Sequence, residues 1–463
     1  MRVAAHATVL ATVLATGLVC AALAVACDGP APSDAGARVD AGVRSDGGDR
    51  DASGRDAGAA GDAGMTTPDG GPPPPSGPRI YPYGQRHSPL DESLADSLRA
   101  RVAAAPSQRG DVFSKIGDSI TVSNSFLRCF SGSNVDLDGR PLQPTIDHFR
   151  AGDAGGSDPF SRTSLCATVG WSASAALMGS PTPLQQELDA VEPRFASLMF
   201  GTNDVGFVNY DAFMRNMTEI VDTMLARGVL PVLSSIPPRD DNATANARVT
   251  AYGGLVRALA ESRELVFIDY HAELLPLPSH GLAGDGVHPQ SFGGGACVLS
   301  AAGLQFGANV RNLLVLEALD RMRRVTLESE TAPDADGPRL AGEGTPESPF
   351  VVPALPFSGY VDTRAMGTSA VAEWSSCGAS DESGPEVRFR VEVTSAGTLH
   401  AALASGAGAD LDVHVVSMGG GANECIERDD REVRTPVTPG VYDVVVDSFA
   451  GMVGEGFLYV EVE

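Results

Sequence analysis

At 463 residues the chain is too long for one ordinary hydrophobic core, so two folded domains with tails are expected. Its 59 acidic residues outweigh 33 basic ones, for a net charge of −26. This balance argues against nucleic acid or an anionic membrane surface as a partner, because phosphate binding needs a basic patch. The basic run Arg321-Met322-Arg323-Arg324 lies at the end of a helical pattern, where cations suit the helix dipole.

The chain starts with Arg2 and an apolar run ending at Ala26, too short and wrongly flanked for a mature membrane span. Residues 1–26 read as an export signal. The sequence LAVAC, Leu23 to Cys27, resembles a bacterial lipobox, with Ala24 where leucine is usual. That resemblance implies lipidation of Cys27 as the first mature residue. The same bond satisfies the small-x-small rule of ordinary signal peptidase. The two expected locations are therefore the cell envelope, with a lipid anchor on Cys27, and the medium, as a secreted protein. Residues 27–78 are rich in Ala, Gly, Asp and Pro, and the triplet DAG recurs four times. So little apolar surface cannot offset chain entropy, and a disordered tether with an average reach of roughly 40 Å is expected.

Export makes the cysteines candidates for pairing. Beyond Cys20 and Cys27 they are Cys129, Cys166, Cys297, Cys377 and Cys425. The expected pairs are Cys377 with Cys425, and Cys129 with Cys166 across a long polar loop, which leaves Cys297 odd. No CxxC pair or His/Cys cluster has zinc spacing, and no cofactor is implied.

Residues 79–327 alternate strand and helix patterns. Strands are expected over 111–117, 194–201, 229–236 and 264–270. Helices are expected over 119–130, 210–228, 242–263 and 300–322, the third weakened by Gly253 and Gly254. Such alternation implies a parallel sheet with helices on both faces, whose carboxyl edge carries ligands. Ser119, Asn203 and Asp269 fall just after strands, on that edge. The polar insert 131–165 either shapes a substrate pocket or is a surface excursion.

A serine nucleophile needs a base and a group that fixes the base's tautomer. Among eight histidines, His288 is the one with an aspartate three residues earlier, Asp285, in GDGVHPQ. Gly284 and Gly286 permit a tight turn, and Pro289 keeps His288 extended. Donors for a developing oxyanion are available at the Ser119 N–H, the Gly170 N–H and the Asn203 amide. Taken in order, GDS at Ser119, the loop glycine at 170, GTND at Asn203 and DGVH at Asp285 and His288 resemble the SGNH, or GDSL-like, hydrolases. The resemblance spans about 85–325 and implies a flavodoxin-like three-layer α/β/α fold and metal-free ester hydrolysis through an acyl-enzyme. It implies Ser119 as nucleophile, His288 as base, Asp285 as its orienter, and Ser119, Gly170 and Asn203 as the oxyanion hole. The stretches GDSIT and GTNDV look most like members that deacetylate carbohydrates; lipases and thioesterases share the same blocks. Asp269, His271, Asp285 and His288 are an alternative metal set, with no helical H-x-x-x-H to support it. Trp171, beside Gly170, is either buried packing or a platform for a sugar ring.

Residues 328–346 read as a linker. From 347 to 463 the period changes to two: Val387, Phe389, Val391 and Val393 share one face, as do Leu411, Val413 and Val415, with Asp410, Asp412 and His414 outward. An all-β sandwich is expected. GTLHAALASGAGADLDVHVV and PGVYDVVVDSF resemble prepeptidase C-terminal domains, which implies a noncatalytic accessory module. Asp410, Asp412 and Asp447 read as solvated strand-edge charges, with calcium binding as the alternative. The expected function is cleavage of small acyl esters, acetylated carbohydrate among them. The contrasting expectation is an inactive hydrolase-like domain whose sandwich binds a surface.

Overall fold

The computed structural model describes residues 77–463. The expected export signal, Cys27 and nearly all of the expected tether lie outside the described residues.

The first domain is an α/β fold with a parallel sheet. In chain order its elements are α1 (Glu92–Ala104), β1 (Arg109–Gly117), α2 (Ser119–Val122), α3 (Gln143–Arg150), α4 (Pro183–Val191), β2 (Pro193–Met199), α5 (Tyr210–Ala226), β3 (Leu230–Ser234), α6 (Ala243–Ser262), β4 (Phe267–Ile268), α7 (Tyr270–Leu274) and α8 (Gly307–Leu327). The strands lie in the order β1-β2-β3-β4, all parallel. Beyond β1, where a flavodoxin-like sheet has a further strand, only a parallel bridge from Gly117 to Ala167 remains. β2 and β3 are buried along their whole length, which is why they read as continuous apolar runs rather than alternating ones. α1 packs on α8, and α5 on α6.

Local sequence sets the helix limits. Asn209 accepts the Ala212 N–H at 2.8 Å and starts α5; Asn242 accepts the Ala245 N–H at 3.0 Å and starts α6. The helix expected over 119–130 is a single turn, α2, followed by a 3₁₀ turn at Arg128–Ser131. Ser123, extended at ψ 138°, ends the helix, and Leu127, at φ 60°, precedes the 3₁₀ turn. The insert 131–165 is no surface excursion. It supplies α3, and Phe149 and Phe160 from it meet Phe113 of β1 edge-on, each at 5.1 Å between ring centres. All three rings are buried, and each contributes about 1.5–3 kcal/mol by leaving water.

The cysteine expectation needs one correction. Cys377 pairs with Cys425 as expected, but Cys129 pairs with Cys297, not with Cys166, which is a buried free thiol. The reason lies in the route of the insert. Asp136 forms a parallel bridge with Val298, which lays the chain after Cys129 against the chain around Cys297. Cys166 is held instead beside β1, where its carbonyl accepts the Gly117 N–H at 3.1 Å.

The second domain is a sandwich of β5 (Phe350–Val351), β6 (Phe357–Asp362), β7 (Glu373–Trp374), β8 (Ala379–Ser380), β9 (Val387–Val393), β10 (Gly397–Ser405), β11 (Leu411–Ser417), β12 (Cys425–Asp429), β13 (Glu432–Val437), β14 (Gly440–Ser448) and β15 (Glu455–Val462). One sheet has the order β13-β10-β15-β6, the other β12-β11-β14-β9-β5, and β7-β8 form a small hairpin. Val387, Phe389, Val391, Leu411, Val413 and Val415 are buried between the sheets, as their alternation predicts. Asp412 and Asp447 are buried as well, which overturns their reading as solvated charges, and His414 is buried beside them, whereas Asp410 is exposed. The segment carrying β7 covers that outer sheet face with Trp374.

The first sheet of the sandwich packs on α5 and α6 and joins the core of the first domain through Ala402, Ala404, Phe457 and Tyr459. This contact explains a glycine that weakens the α6 pattern. A Cβ on Gly254 would sit 2.2 Å from the Tyr459 ring, so the ring lies against bare helix backbone. Charged groups complete the seam: Asp211 accepts the Ser405 N–H at 2.9 Å and pairs with Arg431 at 2.6 Å. The linker is pinned too, since Asp334 accepts the Leu90 N–H at 2.7 Å and Asp91 the Gly337 N–H at 2.8 Å.

Candidate active site

β1 ends at Gly117 with no room for a side chain. A Cβ there would meet Thr121 Oγ1 at 2.3 Å and the Met199 carbonyl at 2.5 Å. The chain turns sharply through Asp118, which is fully buried and caps α2 by accepting the Ile120 N–H at 3.0 Å. Burial raises the Asp118 carboxyl above its usual range. Ser119 is the first helical residue, partly exposed at the carboxyl edge of the sheet. From behind, the buried Arg311 of α8 donates to the Ile120 carbonyl at 2.8 Å and to Thr121 Oγ1 at 2.9 Å, and lies over the Phe126 ring at 3.8 Å. The single turn of α2 is therefore held at both ends of its short length.

His288 reaches Ser119 from 169 residues away, with Nε2 2.9 Å from Oγ. Its Nδ1 lies 2.7 Å from Asp285 Oδ2. The turn that unites them is closed by Asp285 Oδ1, which accepts the Val287 and His288 N–H groups at 3.0 Å each. Gly286, at φ +68°, supplies the left-handed residue, and a Cβ there would lie 2.8 Å from the Asp241 nitrogen. The backbone N–H of His288 does most to hold the Asp285 carboxyl down, at about 2, helped by Val287 and by the His288 ring. A carboxylate is an acceptor only, so Nδ1 carries the imidazole hydrogen and Nε2 faces the hydroxyl with its lone pair.

Asn203 follows β2, which pairs beside β1 with Gly117 opposite Met199. Its amide nitrogen donates to the Trp171 carbonyl at 2.8 Å, and the neighbouring Asp204 accepts the Ala173 N–H at 3.1 Å. Burial pushes Asp204 up to about 6. These contacts anchor the 168–173 loop to the β2 edge, while the Thr168 N–H bonds the Gly117 carbonyl at 3.3 Å. Gly170 is on this loop at φ +78°, exposed, with open space where a Cβ would be. Trp171 is partly buried against the core. The four pieces of chain expected from sequence thus meet along one sheet edge.

The alternative metal set does not converge. Asp269 is paired with buried Arg257 and caps α7, accepting the Ala272 N–H at 3.2 Å. Sequence reasoning missed Asp118 and Arg311. Asp118 was readable as an N-cap before a helix start, but nothing local distinguishes Arg311 from other helix arginines.

A narrow recess adjoins the pair, walled by Ile120, Phe126, Pro289, Ala308 and Arg311 with His288 at its mouth. A partly exposed hydroxyl, an oriented imidazole and donors on adjoining loops can together carry out acyl transfer.

Residues 116–294 match the family described as GDSL-like Lipase/Acylhydrolase. No curated protein matches the chain. Among solved structures, a GDSL-like lipase from Bacteroides thetaiotaomicron is 16% identical, with a TM-score of 0.31, covering 49% of this chain and 98% of its own. An acetylxylan esterase from Geobacillus stearothermophilus is 18% identical, with a TM-score of 0.31, covering 46% of this chain and 95% of its own. Residues 116–294 carry a GDSL-like acylhydrolase domain, and this makes the protein a carboxylic ester hydrolase.

Proposed function

We propose that the protein is an exported serine esterase that removes short acyl groups, acetyl above all, from carbohydrate esters. The observation that carries the reading is the continuous relay from Asp285 Oδ2 through the His288 ring to Ser119 Oγ, at 2.7 and 2.9 Å. His288 Nε2 takes the hydroxyl proton as Ser119 Oγ bonds to the ester carbon, and Asp285 stabilises the imidazolium. The carbonyl oxygen becomes an oxyanion facing the Ser119 and Gly170 N–H groups and the second N–H of Asn203. Collapse expels the alcohol, which takes the proton from His288 and leaves acyl-Ser119. Water then repeats the sequence, with His288 as base again, and releases the acid.

Short acyl groups are supported by the small recess beside His288, walled in part by Phe126, Pro289 and Ala308. A sugar as the alcohol portion rests on the GDSIT and GTNDV stretches. Export rests on residues 1–26, and a lipid anchor rests on Cys27. Rates on p-nitrophenyl acetate, butyrate and octanoate test the acyl reading. Acetate is expected to be fastest, and faster octanoate turnover would sink it. Acetate release from acetylated xylan tests the alcohol portion, and mass spectrometry of the mature N-terminus tests the anchor.

A further inference from the structure

The outer face of the five-stranded sheet in the sandwich buries more negative charge than its partners neutralise. Asp412 on β11 is directly opposite Asp447 on β14, and His414 projects from the same face two residues further on. Trp374 covers them. Its ring stacks on His414 at 4.8 Å and 28°, and its indole N–H donates to Asp447 Oδ2 at 2.8 Å. Glu382 enters from the covering segment and is fully buried, yet neither of its oxygens meets a donor among the described residues. His414 Nε2 is likewise buried without a partner. One ligand atom each from Glu382, His414 and Asp447 lie within 4.8 Å of one another. Arg388 pairs with Glu386 at 2.7 Å, and Arg428 reaches Asp412 at 3.4 Å and Asp430 at 3.5 Å, so neither cation pairs with Glu382 or Asp447.

Unpaired buried carboxylates cost several kcal/mol each, and an imidazole aimed at them adds a neutral nitrogen donor. One imidazole with two or three carboxylates is the ligand chemistry of a first-row divalent ion, whereas calcium takes oxygen alone. The Trp374 indole and the Ser448 N–H, 2.7 Å from Asp447 Oδ1, orient that carboxylate as outer-shell groups do. A second cluster, around His400, lacks this character, because Glu432 and Glu461 already pair with the ring at 3.0 and 3.2 Å.

We propose that Glu382, His414 and Asp447, with Asp412 alongside, bind one zinc-type divalent cation that clamps the covering segment onto the sheet. The cation complements the Cys377–Cys425 bond, which ties the same segment to β12. It does not take part in ester hydrolysis.

The test uses the untagged full chain, stripped with EDTA, re-supplied with zinc chloride and gel-filtered. One equivalent of zinc per chain is expected, with a higher Tm than the stripped protein and unchanged ester turnover. Glu382→Gln should retain at least about tenfold less zinc, whereas Glu463→Gln, in the His400 cluster, should retain all of it. X-ray absorption at the zinc edge of the wild type reads the ligands directly should Glu382→Gln fail to fold: one imidazole, with oxygen for the rest, is expected. Zinc-free wild type, full zinc in Glu382→Gln, sulfur or several imidazoles at the metal, or stabilisation by calcium and not zinc would each overturn the proposal.

Discussion

Asp285→Asn separates two jobs that one carboxylate performs. Oδ1 holds the turn by accepting two backbone N–H groups, and Oδ2 faces the His288 ring. Asparagine keeps the first job, because its carbonyl oxygen accepts in the same place. It loses the second. A carboxylate and an imidazolium about 4 Å apart attract by roughly 1 kcal/mol in water and about 4 kcal/mol at an effective dielectric of about 20. The two side chains are 51% and 45% exposed, so the pair falls between those limits, at about 2–3 kcal/mol. At about 1.4 kcal/mol per decade, that is roughly a 30- to 160-fold fall in kcat. The amide also presents a donor to Nδ1, which favours the tautomer with its hydrogen on Nε2 and pushes the loss to the upper end. The assay is p-nitrophenyl acetate hydrolysis, with melting curves on Asp285→Asn and Asp285→Ala. Asparagine should melt like the wild type and alanine lower, both with a depressed kcat. A well-folded Asp285→Asn that retains kcat to within a few-fold would refute the orienting role.

Other substitutions probe neighbouring parts of the account. Asn203→Ala should lower kcat by about 10²–10³-fold with a smaller change in KM, measured on the same ester; a pure KM effect would remove Asn203 from the oxyanion hole. Gly254→Ala gains about 1 kcal/mol of helix propensity but drives a Cβ to 2.2 Å from the Tyr459 ring. A lower Tm is expected, and a higher one would mean that the ring yields freely. His87, buried with Nε2 donating to the Leu314 carbonyl at 2.9 Å, is held neutral by burial, which brings its pKa down to about 3. The unfolded chain, titrating near about 6.5, binds more protons between those values, so folded stability falls as pH drops from about 6.5 towards 3. In urea melts at pH 7 and pH 4, His87→Gln should lose less stability between the two than the wild type does; equal losses would contradict the assignment.

The parts of this structure that were legible in the sequence are those with local signatures. The buried strands β2 and β3 announce themselves as apolar runs, the helix over 210–228 by its apolar spacing, and the sandwich as period-two valines. The site blocks are legible because each needs residues of one type within a few positions: glycine where Gly117 has no room for a Cβ, and an aspartate three before His288 to close its turn. What was not legible depends on distant chain. The Cys129–Cys297 pairing follows from the insert bridging at Asp136, and nothing near either cysteine encodes it. Likewise, the alternation around Asp412 and His414 correctly marks one face of a strand. That face is covered only because Trp374 and Glu382, some 30–40 positions earlier, fold over it. α6 fails the other way. Gly254 looks like a defect in the helix until Tyr459, far along the chain, is seen to occupy its missing Cβ.

The most direct measurement is the fate of the acyl group on Ser119. Wild-type protein quenched during turnover of p-nitrophenyl acetate, digested and analysed by mass spectrometry, should carry acetyl on the peptide containing Ser119. Ser119→Ala should carry none and should lose at least about 10³-fold in kcat. Undiminished turnover by Ser119→Ala, or acetyl found on another residue as the productive intermediate, would contradict the account.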